Sequence, residues 1–258
     1  MQIISGGAAR CLLFLTMLAF PGAGAWAALN LAATRVIVDA EDGVGTLDVW
    51  NDGASPMLVQ TWMDDGDAQA RAEQVRTPFL VVPPLIRVDA GKRATLRLRV
   101  ADPATLRQGQ ESLYWLNVLS VPSFAAGTAV GFEARFQINV RSRLKVFYRP
   151  QGLPGDAATA PGQLRWCWRG EADGRGLQID NPTAWYVNLL AVRVAGTDAV
   201  PLTDEEKLVR PLSRGRLRMP EAAEGGAVEF DWVADHGQVQ STRSAIAEDC
   251  DGQGGAGS

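Results

Sequence analysis

Between residues 35 and 233 the chain alternates short apolar runs with polar turn pairs, a period-2 pattern that predicts strands. Runs rich in Val, Leu, Ile and Thr are closed by pairs such as Asp42-Gly43, Asp52-Gly53 and Asp65-Gly66. Segments 35–40, 45–51, 56–64, 93–100 and 113–121 each fit one strand, at the spacing of a sandwich. Within 95–100 the alternation is clean, with Leu96, Leu98 and Val100 on one face and Arg97 and Arg99 on the other. Loop composition then fills 149–162, where Pro150, Gly152, Pro154, Gly155, Pro161 and Gly162 interrupt the pattern. A second strand series follows at 163–169, 177–179, 185–194, 209–217 and 227–233. The pattern predicts an all-β chain of two β-sandwich domains, 28–150 and 151–250, with a Gly-rich polar tail at 251–258 expected to be disordered. Long amphipathic helices are absent, and the one capping-box signal, Thr203 with Glu206, predicts a solvated helix start.

The segment 133–149 stands apart. Its even positions carry Ala134, Phe136, Ile138, Val140, Leu144, Val146 and Tyr148, interrupted only by Ser142. Its odd positions carry Glu133, Arg135, Gln137, Asn139, Arg141, Arg143 and Lys145, then Phe147 and Arg149. That is about 50 Å of strand against a usual five or six residues. A small sandwich does not need so long a strand. One reading is an edge that lends its apolar row to another chain; the other is a bent strand covered within its own fold.

Composition narrows the chemistry. The formal net charge of −4 argues against a broad nucleic-acid-binding face. The single histidine, His236, rules out a histidine-rich metal site and has no nucleophile partner in the pattern, so it reads as a loop residue. No G-x-S-x-G, C-x-x-C or strand-to-helix phosphate loop occurs. Asp64-Asp65-Gly66-Asp67 lacks the spacing of a calcium loop and reads as a turn of solvated acids. No catalytic residue, metal ligand or cofactor is therefore assigned.

Residues 1–27 have the form of a secretory signal. Arg10 is their only charge, an apolar run covers 11–20, and Ala25-Trp26-Ala27 offers a small-x-small cleavage site. The run is shorter than the roughly 20 residues that span a bilayer, and no later stretch approaches that length. The expectation is an exported mature chain without an integral membrane segment. Of the three cysteines, Cys11 falls in the signal, and the remaining pair, Cys167 and Cys250, favours a disulfide in an oxidising compartment.

Several stretches together resemble one family, the periplasmic chaperones of chaperone–usher pili (fimbriae). Glu111-Ser112-Leu113-Tyr114-Trp115-Leu116-Asn117-Val118 with Val121-Pro122-Ser123 resembles its signature segment. Leu144-Lys145-Val146-Phe147-Tyr148-Arg149-Pro150 resembles the end of its donor strand, and Asn181-Pro182-Thr183 with Trp185-Tyr186-Val187 a stretch of its second domain. Thr77-Pro78 through Pro83-Pro84, then Ala90-Gly91 and Leu96-Arg97-Leu98, match its middle strands. The loop 122–134 is longer than in the short-loop branch and lacks the cysteine pair of the long-loop branch.

The resemblance implies two Ig-like domains set in an L or boomerang, a periplasmic location, and pilin subunits and an outer-membrane usher as partners. It places Arg35 and Lys145 at the cations that anchor the C-terminal carboxylate of a pilin. Ala134, Phe136, Ile138 and Val140 would be the donor row, and Glu111, Arg149 and Asp235 a structural ion network between the domains. The same edge admits a self-capping dimer of the free chain. Taken without the family, Arg35 and Lys145 read as surface charges. The competing function is a secreted Ig-like adhesin or surface-fibre binding module, which has no use for two cations paired at the base of an alternating strand.

Overall fold

The computed structural model describes residues 29–123, 138–171, 174–195, 197–220, 223–248 and 250. The expectations placed on 1–27, on Ala134 and Phe136, and on the tail 251–258 lie outside these residues. In chain order the first half forms β1 (Leu29–Leu31), β2 (Arg35–Asp39), β3 (Val44–Asn51), β4 (Met57–Asp64), β5 (Phe79–Val82), β6 (Leu85–Val88), β7 (Arg93–Val100), β8 (Ser112–Pro122) and β9 (Val140–Arg149). The second half forms β10 (Arg165–Glu171), β11 (Gly174–Asn181), β12 (Val187–Val194), β13 (Leu208–Val209), β14 (Ser213–Arg218), β15 (Ala227–Val233) and β16 (Val239–Ala247).

The first nine strands make two sheets, ordered β1-β3-β7-β5 and β2-β9-β8-β4-β6. Alternation drives one face of each inward: Leu47, Val49, Leu96 and Leu98 from one sheet meet Val38, Val59, Leu116 and Val146 from the other. Each such side chain contributes about 1.5–3 kcal/mol when fully buried. The remaining strands form one sheet, β13-β12-β15-β16-β10-β11-β14. It is joined between β10 and β16 by two residue pairs only, and it closes over a separate core in which the Trp166 and Phe230 rings lie 5.1 Å apart. Cys167 on β10 is bridged to Cys250, just past β16, with 5.1 Å between their Cα atoms.

Four features differ from the sequence-based expectation. Strands β1, β5, β6 and β16 had no strong signal of their own: β5 and β6 are separated only by Pro83-Pro84, and most residues of β16 are exposed or half-buried polar ones. The run 209–217 breaks into β13 and β14 around Leu212, which has a φ of 48° and is exposed. The long strand 133–149 begins, among the described residues, only at Val140, with Ile138 and Asn139 outside it. The Thr203–Glu206 box forms both of its reciprocal hydrogen bonds, but the chain makes a turn there and no helix follows.

A cation-lined cleft between the two cores

β2 runs parallel to β9, in a register that sets Arg35 directly opposite Lys145. Even-numbered side chains of β9 (Leu144, Val146, Tyr148) enter the first core, so the odd-numbered ones face the opposite way. On that side Phe147 packs on Tyr186 of the second half, 5.6 Å between ring centroids. The two cations therefore stand side by side where the two halves of the chain meet.

Neither has a carboxylate partner among the ion pairs of the described residues. Arg35 is 9% exposed; its NH1 donates to the Val233 carbonyl at 3.0 Å, and its Nε is buried without a hydrogen-bond partner. Lys145 Nζ donates to Asn188 Oδ1 at 2.7 Å and lies 6.0 Å from the centre of the Trp115 ring. Burial first, and then the Arg35 charge, pull the Lys145 ammonium from its ordinary 10.5 down to about 8; Lys207 adds to this and Asp204 opposes it. Burial also lowers the Arg35 guanidinium, offset in part by Asp235 and Glu111. Two partly desolvated cations bonded only to neutral oxygens make a site that favours an anion with two acceptor atoms.

The acidic groups nearby are engaged elsewhere. Glu111 is buried, and it accepts from Arg149 Nε at 2.8 Å and from the Tyr186 backbone N–H at 2.9 Å. Arg149 NH2 reaches Asp235 at 2.8 Å, and its guanidinium lies 5.2 Å from the centre of the Trp185 ring. Burial pushes the Glu111 carboxyl up, against the pull of Arg149 and the Tyr186 N–H. The Glu111 N–H itself donates to the Ala184 carbonyl at 2.8 Å, so this network ties β8 and β9 to the loop before β12. The structure thus brings Glu111, Arg149 and Asp235 together.

Of the donor row, Ile138 and Val140 are described, and both are exposed, by 74% and 54%. His236 is an exposed loop residue. Asp64 corrects the sequence reading. It is not a solvated turn acid: its side chain is fully buried and paired with Arg143, while Asp65 and Asp67 are exposed. Sequence reasoning also missed Asn188 and the Val233 carbonyl. Both come from the second half of the chain, and no spacing rule places either against a strand more than 40 residues away.

Fold and cleft define a protein of two β-sandwich domains with paired cations between them. Residues 28–154 match the family described as "Pili and flagellar-assembly chaperone, PapD N-terminal domain", and residues 159–244 match "Pili assembly chaperone PapD, C-terminal domain". The chain belongs to the pili assembly chaperone family. The chaperone protein FimB/FhaD of Bordetella pertussis is 38% identical over 235 residues, which is 90% of this chain and 93% of that one. The CupB2 chaperone of Pseudomonas aeruginosa is 31% identical, with a TM-score of 0.68 over 84% of this chain and 100% of its own. A chain from the complex of Salmonella enterica SafA pilin with the SafB chaperone is 28% identical, with a TM-score of 0.66 over 84% of this chain and 95% of its own.

Proposed function

We propose that the protein is a periplasmic chaperone, exported through its first 27 residues and without catalytic activity, that binds pilin subunits by donor-strand complementation and delivers them to an outer-membrane usher. Domain 28–150 presents the strand, and domain 151–250 closes the cleft. The observation that carries this reading is the Arg35–Lys145 pair, two adjacent cations that bond neutral oxygens and have no carboxylate partner among the described residues. A subunit's terminal carboxylate would accept charge-assisted hydrogen bonds from both cations and so fix the register of strand pairing. From that anchor the apolar row Val140, Ile138, Phe136 and Ala134 would run into the groove of the subunit. The SafB chaperone, solved with a pilin, supports the partner class. Glu111, Arg149 and Asp235 do no chemistry in this reading; they set the angle between the domains.

The test is co-purification from the periplasm, with mass spectrometry of what accompanies the tagged chain. The wild type should carry a single-domain β protein in stoichiometric amount. Arg35→Ala and Lys145→Ala should each lose it while keeping a native circular dichroism spectrum. Folded variants that retain the subunit at wild-type yield would remove the anchor from the account.

A further inference from the structure

β9 is flanked on both sides along only half its length. Residues 145–148 lie between β2 and β8, whereas 140–144 pair with β8 and have no strand on the other side among the described residues. A half-paired strand end presenting exposed Ile138 and Val140 should fray, because few core contacts hold it down. Ser142 is only half-buried, and Leu144 is the first of these side chains to be fully buried in the core.

The opposite face supplies what the core does not. Arg141 donates through Nε and NH2 to Asn117 Oδ1, at 2.9 and 2.7 Å, and its guanidinium lies 4.9 Å from the centre of the Trp62 ring. Arg143 donates through Nε and NH2 to the two oxygens of Asp64, at 3.0 and 2.5 Å, and stacks 4.0 Å from the centre of the Trp115 ring. Asp64 also accepts from Asn117 Nδ2 at 2.7 Å and from the Gly66 N–H at 2.9 Å. Burial alone would raise the Asp64 carboxyl, but these hydrogen bonds outweigh it and hold it below the ordinary carboxylate range. A continuous chain of contacts, Arg141–Asn117–Asp64–Arg143, thus crosses β9, β8 and β4. Arginine suits the task better than lysine, since a planar fork can bond two acceptors and stack on an indole at once.

We propose that Arg141 and Arg143, anchored through Asn117 and Asp64, are positioning residues that hold the open half of β9 extended and ready to pair before a subunit arrives. The inference rests on the donor role proposed for β9. A strand ordered in advance avoids paying its conformational entropy at the moment of binding, so these arginines raise affinity without touching the subunit. Their placement agrees: both lie in the half of β9 that lacks a second strand. The residue at the start of the doubly paired half, Lys145, points instead to Asn188 in the second domain.

The experiment combines amide hydrogen exchange on the free full chain with binding of a short synthetic peptide of alternating Val and Thr that ends in a free carboxylate. Arg141→Ala removes one clamp and leaves only neutral groups behind. A second variant, Asp64→Asn with Arg143→Met, removes the buried pair together, so no lone charge is left to unfold the chain. Each should accelerate exchange over 140–144 about tenfold or more while leaving 145–149 and the second domain unchanged. The peptide should bind correspondingly more weakly, through slower association, because the competent form becomes a minor population. Equal acceleration over 145–149, or no change over 140–144, overturns the positioning role, as does local acceleration with peptide affinity unchanged. A wild-type chain that does not bind the peptide counts against the donor-strand reading itself, and the positioning role falls with it.

Discussion

Lys145 stands next to Arg35 with an amide oxygen as its hydrogen-bond partner, and burial and that neighbour bring its ammonium down to about 8. The folded chain therefore binds this proton less tightly than the unfolded chain, where the ordinary 10.5 applies. Below pH 8 the folded state carries the full penalty of the charge. Between about 8 and 10.5 the unfolded state holds more protons, so stability rises with pH in that window. Lys145→Met should make the free protein about 1–2 kcal/mol more stable at pH 7, allowing for partial solvent screening, and should remove this component of the pH dependence. Urea denaturation at pH 7 and 9.5 measures both effects, and a variant less stable than wild type at pH 7 would contradict them. An arriving carboxylate reverses the balance by favouring the charged amine. Capture should then take up protons above pH 8, which calorimetry in two buffers of different ionisation heat detects. Residues of this kind were legible only through family resemblance: nothing in the alternation of 133–149 distinguishes Lys145 from Arg143, yet one bonds a neutral amide of the second domain and the other a buried carboxylate.

At the scale of elements, β2 matters because it holds Arg35 against β9. It can lie close to β3 only because Gly45 has no side chain: a Cβ there would sit 2.7 Å from Val36 Cγ1 and 2.8 Å from Val38 Cγ2. Both valines are buried core residues with no room to retreat. Gly45→Ala should therefore push β2 outward and destabilise the chain by about 1–3 kcal/mol. Subunit capture should fall further than stability explains, since Arg35 would move with its strand. Thermal denaturation beside a capture assay separates the two losses, and equal capture per folded molecule would argue against the coupling. Most strands were readable from period-2 alternation because one face of each is buried. The exceptions have physical causes. β16 pairs through its backbone while showing mostly polar side chains, and the start of β12 shifts to Val187 because the N–H of Tyr186 bonds to Glu111. Within the overlong pattern, Ile138 and Val140 are exposed, and among the described residues the strand starts at Val140.

Across the whole molecule, both cations are steadied from the second domain, Arg35 by the Val233 carbonyl and Lys145 by Asn188. In the proposed reading the anchor is thus a property of how the domains meet, and the Glu111–Arg149–Asp235 ion pairs would help fix that meeting. Arg149→Ala leaves Glu111 buried without its counter-charge, a change that typically destabilises by about 3–5 kcal/mol. Calorimetric unfolding should show the two domains melting more independently than in the wild type, with capture weakened even where the first domain remains folded. A single, equally cooperative transition would show that the network does not couple them. Sequence alone could not supply this level of organisation, because its key contacts join side chains to backbone groups of a different domain, as with Tyr186 and Val233.

In the proposed function a terminal carboxylate, held by Arg35 and Lys145, sets the register of an incoming strand. The most direct measurement compares capture of a pilin subunit ending at its native C-terminus with capture of the same subunit extended by one glycine. A buried anchor of fixed position predicts at least about a tenfold loss of affinity for the extended subunit, with no further loss when Lys145 is already replaced by alanine. Equal affinity for the two subunits in the wild-type chain would mean that the cleft does not read the carboxylate.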